Sequence, residues 1–387
     1  MATRLFGVFS PRFVDQVQEQ ITNSVQTEPP LDGAPPRVWV VTGYRAGERS
    51  QLLALAERLD WPYELKELSY RKTEFTTSLF RGNDLRGIRL KHSSALAPPW
   101  PDLVLSAGMR NEPVGRWIRN RSGGKTRLVH VGRPWADPER FDLVITTPQY
   151  PVPRRPNVLC NTMTLSLVSP RWLEEKAVLW RQRYAALPGP YTGALLGGDS
   201  GPYTFGRKTA QRLAREANRL VKSTGGSLLI TTSARTSPEV VDVLEREIDV
   251  PFDLYKWKKG DDSNPYSGIL ALSDRLIVSA DSISMLSEAC TTCKPVYMLD
   301  PVSHRYPMRN PAGARFGEDR RLQGFLYSLL LRVGPRRLGR DIRLVHRKLL
   351  AEHRAVWLGE DFPDEVPVPA DDVQRALARV RQLFNRQ

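Results

Sequence analysis

The chain has 387 residues and a net charge of +15 at pH 7, with 41% hydrophobic and 26% charged residues; that length exceeds what one hydrophobic core usually organises, so two domains are expected. No apolar run approaches the roughly 20 residues that cross a bilayer, Met1–Phe9 is too short in apolar core for a secretory signal, and three cysteines argue against a disulfide framework, so a soluble cytoplasmic protein is expected. The positive charge suits nucleic acid, an anionic membrane face or phosphate-bearing substrates, but the absence of zinc-finger spacing, an RNA-recognition signature or an aromatic-interleaved basic repeat leaves no nucleic-acid partner expected.

Residues 1–36 read as an N-terminal extension: a short helix from Ser10 to Val25 with Phe13, Val17 and Ile21 on one face, then a linker with four prolines between Thr27 and Pro36. Arg37–Thr42 (RVWVVT) is the first core strand. It runs into Gly43-Tyr44-Arg45-Ala46-Gly47-Glu48, and Gln51–Leu59 follows as an amphipathic helix, so the turn is capable of holding phosphate. Trp61–Leu68 supplies a second strand, and Lys72–Ala97 is basic and irregular. Asp102–Leu105 is a third strand, ending in Ser106-Ala107-Gly108 before a helix over Pro113–Arg121. Arg127–Val131, Phe141–Thr146 and Asn157–Cys160 are further strands. Strands alternating with helices over short turns predict a parallel, doubly wound sheet.

Trp172–Ala186 is a helix, Leu187–Gly193 a hinge, and the pattern then restarts. Gly193–Leu196 ends in Gly197-Gly198-Asp199-Ser200-Gly201, and Gly206–Thr224 is a long basic helix. Ser227–Thr232 leads to Ser233, Arg235 and Thr236; Pro238–Glu247 is helical, Asp253–Trp257 extended, and Asn264-Pro265-Tyr266 opens a helix to Leu272. Leu276–Val278 then breaks at Ser279-Ala280-Asp281-Ser282, with a helix from about Ser284 carrying Glu288, and Val296–Leu299 as the next strand. Cys290 and Cys293 form a CxxC without a second pair, and read as small residues near a helix end. The charge excess gathers late, with thirteen Lys and Arg against four Asp and Glu in residues 304–357. Gln323–Leu331 and Ile342–Val356 read as helices, and Asp371–Phe384 as a capped final helix. The economical fold is α/β: two Rossmann-like domains facing across a cleft, over 37–188 and 189–330, with helices of 331–387 packing back on the first.

Three loops of the second half converge at the carboxyl ends of its strands. Gly197 and Gly198, lacking a Cβ, allow backbone approach to a diphosphate, beside Asp199 and Ser200. Ser233 and Arg235 add a hydroxyl and a planar cationic fork. Ser282, Ser284 and Glu288 complete the set; singly, the serines suit helix caps and Glu288 a solvated helix face, and jointly they suit a ligand site. Tyr255, Trp257 and Tyr266, near Asn264, suit either stacking on a base or the core. In the first half, Gly43, Arg45, Gly47, Gln51, Ser106 and Gly108 form the facing loops. Glu48 is a candidate general base if burial raises its pKa, or a helix-start carboxylate favoured by the dipole. His130, ending a strand, is a second candidate with an equally good structural reading.

The segments VTGYRAGERSQLLALAERL, PDLVLSAG, FDLVITTP, LLGGDS, SLLITTSART, NPYSGILALSD and SADSISMLSEACTTCKPVYML follow in order the pattern of the mitochondrial-fission Elm-type family, which the chain resembles over roughly residues 37–299. That family, widespread in bacteria and named for a plant member that recruits the fission dynamin, is similar in turn to GT-B glycosyltransferases and UDP-N-acetylglucosamine 2-epimerases. The resemblance implies a GT-B-like fold. It also implies that Glu288 binds the donor ribose, that Ser282 to Ser287, with Ser284, Met285 and Leu286, form the diphosphate loop, and that Gly197–Ser200 is the glycine loop; Asp281, just before, is counted with the nucleotide-sugar site. Glu48 stands where family members usually carry histidine, which puts retained activity in question.

Three functions follow as expectations: a transferase using a nucleotide-activated sugar and a lipid-linked or envelope-glycan acceptor, a non-catalytic adaptor keeping the fold, and a nucleotide-sugar epimerase. No cofactor beyond the donor and no metal is expected, since no DxD-type motif sits in a suitable loop and cationic groups with helix N-termini can stabilise a leaving diphosphate. The basic segments would hold such an enzyme on an anionic membrane face.

Overall fold

The computed structural model describes residues 34–43, 46–71, 83–303, 339–363 and 371–385, with positions 329, 333 and 366. Residues 36–387 form one compact unit. The helix expected over Ser10–Val25, Arg45, residues 72–82 of the basic segment and most of Gln323–Leu331 lie outside the described residues.

The first half is a parallel sheet with helices. Strand β1 (Val38–Thr42) leads to α1 (Ala46–Leu59) and β2 (Tyr63–Glu67); β3 (Leu103–Ala107) leads to α2 (Glu112–Arg121), β4 (Arg127–Val131), β5 (Leu143–Thr146) and β6 (Val158–Cys160). The order across the sheet is β2-β1-β3-β4-β5-β6, every neighbouring pair parallel. All five residues of β1 and of β3 are buried, as continuous apolar strands covered on both faces must be. Helix α1 starts five residues before the expected Gln51, so Gly47 and Glu48 sit in its first turn rather than in a loop; the Gln51 amide donates to the Gly47 carbonyl at 3.0 Å.

Helix α3 (Pro170–Tyr184) crosses to the second half, where β7 (Tyr191–Leu195), β8 (Tyr203–Thr204), α4 (Arg207–Thr224), β9 (Ser227–Thr231), α5 (Pro238–Glu247), β10 (Phe252–Tyr255), α6 (Tyr266–Leu272), β11 (Arg275–Ser279), α7 (Ile283–Thr291), β12 (Val296–Leu299) and β13 (Val302–Ser303) follow. The second sheet is ordered β10-β9-β7-β11-β12-β14, the last being Val356–Trp357. Its faces alternate strictly: Leu276 and Val278 enter one core cluster, Ile277 the other. Helix α3, which the expected boundary at 188 assigns to the first domain, packs on α6 and shares a core with the second sheet through Leu173, Ala177 and Tyr184.

The C-terminal section divides between the halves. Helix α8 (Arg343–Ala351) places Val345 and Leu349 in the second core, whereas α9 (Asp372–Arg381) packs on α1 and β5. The helix expected over Ile342–Val356 stops early because His353 adopts a left-handed conformation, φ 53°, that an α-helix cannot continue. Val356 and Trp357 instead form β14 and extend the second sheet beside β12, a suitable fate for a β-branched and an aromatic residue.

In each sheet the chain leaves its first strand to one side and returns to the other. The switch points lie between β1 and β3 and between β7 and β11, where ligands of open α/β sheets bind, beyond the carboxyl ends of the strands.

Candidate functional site

A cavity of about 440 Å³ lies where the two switch points meet. Its lining takes Gly43 and Glu48 from after β1, Ala107–Arg110 from the end of β3 onward, Val131–Arg133 from the end of β4 onward, and Ile145, Thr146, Thr147, Gln149 and Tyr150 from the end of β5 onward. The second half contributes Ser200 and Gly201 after β7 and Ile283 and Ser284 after β11. Arg340 of the C-terminal section closes the set.

On the first-half wall, Gly108 has φ +74°, and a Cβ there would lie 2.5 Å from the Glu48 carboxylate. Only glycine lets this acid approach the β3 turn so closely. Beside Gly43, the Tyr70 hydroxyl donates to Asn111 Oδ1, and the Asn111 amide donates to the Ala107 carbonyl at 2.7 Å. The Arg110 guanidinium stands 5.7 Å from the Tyr70 ring centre. Glu112, at 2% exposure, accepts the N–H groups of Trp135 at 2.6 Å and Ala136 at 3.0 Å, which pins the loop carrying Arg133. Burial raises the Glu112 pKa, against the pull of those bonds and of Arg116. Arg133 donates to the Gly339 carbonyl at 2.8 Å, and Arg340 Nε to Gln149 Oε1 at 2.6 Å.

The second-half loops are tied to each other. Arg235 Nη1 donates to Asp281 Oδ2 at 2.7 Å, to the Asp199 carbonyl at 3.1 Å and to the Gly198 carbonyl at 3.3 Å. Ser279 Oγ accepts the Gly197 N–H at 2.7 Å, and Ser233 Oγ donates to the Gly197 carbonyl at 2.9 Å. Asp281 is fully buried; burial raises its pKa, with the Arg235 charge the largest opposing effect. A Cβ on Gly197 would lie 2.5 Å from the Asp281 carboxylate, and one on Gly198 would run into the Arg235 carbonyl. The close approach expected of a diphosphate is therefore taken, at these two glycines, by the protein's own loops.

Helix α7 begins at the cavity. Ser282 is its N-cap residue, with no side-chain capping bond, and Ser284 faces Gly47 across the cleft, 3.4 Å from where a Cβ on Gly47 would sit. One turn behind Ser284 on the same face, Glu288 accepts a hydrogen bond from the Tyr266 hydroxyl. Burial raises the pKa of Glu288, and raises that of Tyr266 well above its ordinary value.

Of the residues singled out from sequence, Gly43, Glu48, Gln51, Gly108, Ser200 and Ser284 line the cavity. Gly197, Gly198, Asp199, Ser233, Arg235 and Asp281 stand behind it as the interlocked loops just described. Leu286 is fully buried, Met285 packs against the core, and Ser287, 1% exposed, accepts the Thr164 N–H at 3.0 Å, joining the halves rather than facing the cleft. Tyr255 is buried with its hydroxyl on Asp261 at 2.8 Å; Trp257 is exposed, and Asn264 Oδ1 accepts the Tyr266 N–H at 3.1 Å. His130 is sealed in β4, with Nδ1 3.1 Å from Ser106 Oγ. Burial lowers its pKa to about 4, so it is a neutral core residue absent from the cavity lining. Sequence reasoning passed over Arg110, Arg133, Gln149 and Arg340. The first two carry a signal, since Ser106-Ala107-Gly108-Met109-Arg110 and His130-Val131-Gly132-Arg133 both put glycine and then arginine just past a strand. Arg340 carries none, being 191 residues from its partner Gln149.

A family model described as mitochondrial fission ELM1 matches residues 46–316. The chain is 30% identical over 238 residues, 56% of its length, to the mitochondrial fission protein ELM1 of Arabidopsis thaliana, and this match spans 55% of the plant protein. Among solved structures it is similar to the UDP co-structure of Staphylococcus aureus MnaA, with a TM-score of 0.44 and 13% identity over 90% of this chain and 97% of that one. It is also similar to the UDP-GlcNAc 2-epimerase of Methanocaldococcus jannaschii in complex with UDP-GlcNAc and UDP, with a TM-score of 0.44 and 9% identity over 90% and 99%.

Proposed function

The chain belongs to the mitochondrial fission ELM1 family, and from that premise we propose a GT-B-type transferase that moves a sugar from a nucleoside diphosphate to an acceptor hydroxyl. The observation that carries the reading is a cavity shared by the switch points of both sheets, which suits two substrates meeting between two halves. The diphosphate lies at the N-terminus of α7, against Ser284 and the Ser200–Gly201 turn, where backbone N–H groups and the helix dipole favour negative charge. Glu288, one turn behind, accepts from the ribose, its bond to Tyr266 fixing the carboxylate. Across the cleft, Glu48 takes the proton of the acceptor hydroxyl as its oxygen bonds to the sugar and the bond to the diphosphate breaks.

Calorimetry on the full chain with UDP-, GDP-, CMP- and ADP-sugars tests the reading. It expects heat with one base, lost in Glu288→Ala. No heat from any of the four, together with unchanged behaviour of Glu288→Ala in cells, sinks it in favour of a scaffold that keeps the fold. The basic segments on this reading hold the enzyme against an anionic membrane face, so sedimentation with anionic liposomes should fall as salt rises; among the described residues no helix is long and apolar enough to cross a membrane. Salt-insensitive sedimentation would remove the electrostatic docking.

A further inference from the structure

We infer that His346 of α8 is a positioning residue for the donor seat: it holds the turn from β11 into α7 from behind, so that the first turn of α7 presents its N–H groups to a diphosphate. The word donor rests on the transferase reading, whereas the brace stands on its own geometry. His346 is 1% exposed and is absent from the cavity lining; it acts through the carbonyl of Ala280, whose oxygen lies 2.8 Å from Nε2. A carbonyl only accepts, so Nε2 carries the proton and Nδ1 is bare. Burial pulls the His346 pKa down to about 4, which keeps the ring neutral. Nδ1 is buried without a hydrogen-bond partner, a cost that an apolar side chain here would avoid. The compensation is on the other nitrogen. Ala280 is fully buried, and among the described residues its carbonyl receives this one hydrogen bond, so without His346 it would be an unpaired buried acceptor.

Ala280 is the first residue past β11, and Ser282, the N-cap residue of α7, follows two positions later. The other restraints on this turn come from the second sheet and its loops. Ser279 Oγ accepts the Gly197 N–H, the Ala280 N–H donates to the Leu299 carbonyl at 2.9 Å, and Asp281 is held by Arg235. His346 adds the restraint from the C-terminal section. Ala280, Ile283 and Leu286 share one core cluster with Val345, Leu349 and Trp357. The Trp357 ring meets the imidazole edge-on, with centres 5.7 Å apart and planes at 72°. Packing therefore fixes the ring with its one proton aimed at the turn.

The same segment also reaches the other wall. Just before α8, Arg340 Nε donates to the Gln149 side chain at 2.6 Å and the Asp341 N–H to the Gln149 main-chain oxygen at 2.9 Å, and Gln149 lines the cavity from the first half. The segment thus touches both walls, and His346 is where it meets the donor seat. A helix N-terminus holds an anion through free N–H groups that converge on it, and a misplacement of about 1 Å is enough to lose much of that gain.

The test uses the full chain as wild type, His346→Phe and His346→Gln, each first melted without ligand to confirm folding. Phenylalanine keeps an aromatic ring against Trp357 and removes the donor; glutamine returns an N–H at similar reach. In the ligand-free chain, hydrogen exchange over residues 279–288 should quicken roughly tenfold in His346→Phe, the scale of a buried acceptor left unpaired. Strands β9 and β10 should exchange as in wild type, and His346→Gln should stay near wild type throughout. By calorimetry, nucleotide-sugar affinity should fall by a similar factor in His346→Phe and recover in His346→Gln, while affinity for the matching nucleoside, which lacks the diphosphate, holds. Unchanged exchange over 279–288 in His346→Phe overturns the brace. So does quickening spread evenly over the second sheet, since His346 would then be a core residue only, and so does His346→Gln behaving as His346→Phe. Nucleotide-sugar affinity that survives His346→Phe overturns the link to the donor. The imidazole nitrogen NMR spectrum of wild type checks the premise without any variant: the proton should sit on Nε2 at pH 7, and a proton on Nδ1 overturns the proposal. If no nucleotide binds but the exchange pattern is the expected one, the brace stands and only the transferase reading falls.

Discussion

The two walls of the cleft are built on opposite plans. The second-half loops are bound to one another: Arg235 ties Asp281 to the carbonyls of 198 and 199, and the glycines at 197 and 198 are small because neighbouring loops fill their Cβ positions. The first-half loops are held by Glu112 beneath the Arg133 loop and by the pairing of Gln149 with Arg340 of the C-terminal segment, both in the cavity lining, and their lining side chains include arginines and Glu48. A glycine-rich turn is thus poor evidence of ligand approach until it is known what occupies the space a Cβ would take. Here the second wall reads as a rigid seat and the first as the chemically armed face.

Three substitutions sharpen or break that contrast. The largest effect is expected at Glu48. Glu48→Gln should lower transfer about 10²- to 10⁴-fold, the range for loss of a general base, with donor affinity unchanged by calorimetry; full activity in this variant would take the chemistry away from the first wall. Next is Gly198→Ala, where the added methyl must displace the Arg235 backbone. A loss of about 1–3 kcal/mol in denaturant unfolding is expected, whereas a neutral result would mean the seat is not rigid. The smallest effect is electrostatic. Burial raises the Glu288 pKa above its ordinary 4.5, so over that window the folded state binds more protons than the unfolded one, and stability falls as pH rises. Glu288→Gln keeps an acceptor for Tyr266 and removes the buried charge. Its melting temperature should exceed that of wild type at neutral pH, the gap closing toward the ordinary carboxylate pKa. A gap that widens on acidification contradicts the sign.

Much of the fold is legible in the sequence because both sheets are parallel and buried, so runs such as VWVV and LIVS announce themselves without an alternating partner pattern. Strand β14 is not legible: two residues cannot declare a strand, and only the reversal at His353 and the open edge of β12 make Val356 and Trp357 one. The site is half legible for a related reason. Ser284, Glu48 and Gly108 follow strands that periodicity finds, so the carboxyl-end rule locates them. Ser287 and Leu286 look identical to their neighbours in sequence, but helix phase turns them into the core. Arg340 depends on a contact between segments far apart in the chain, which no local pattern encodes.

The central claim is that the cleft seats a nucleotide against the second wall and presents its sugar to the first. A crystal structure of the full chain soaked with the nucleotide sugar that calorimetry selects tests this most directly. The account predicts diphosphate density at the N-terminus of α7 beside Ser284, ribose within hydrogen-bond reach of Glu288, and the sugar facing Glu48. Nucleotide density lodged among Arg110, Arg133 and Arg340, with the Ser284 turn empty, would contradict it.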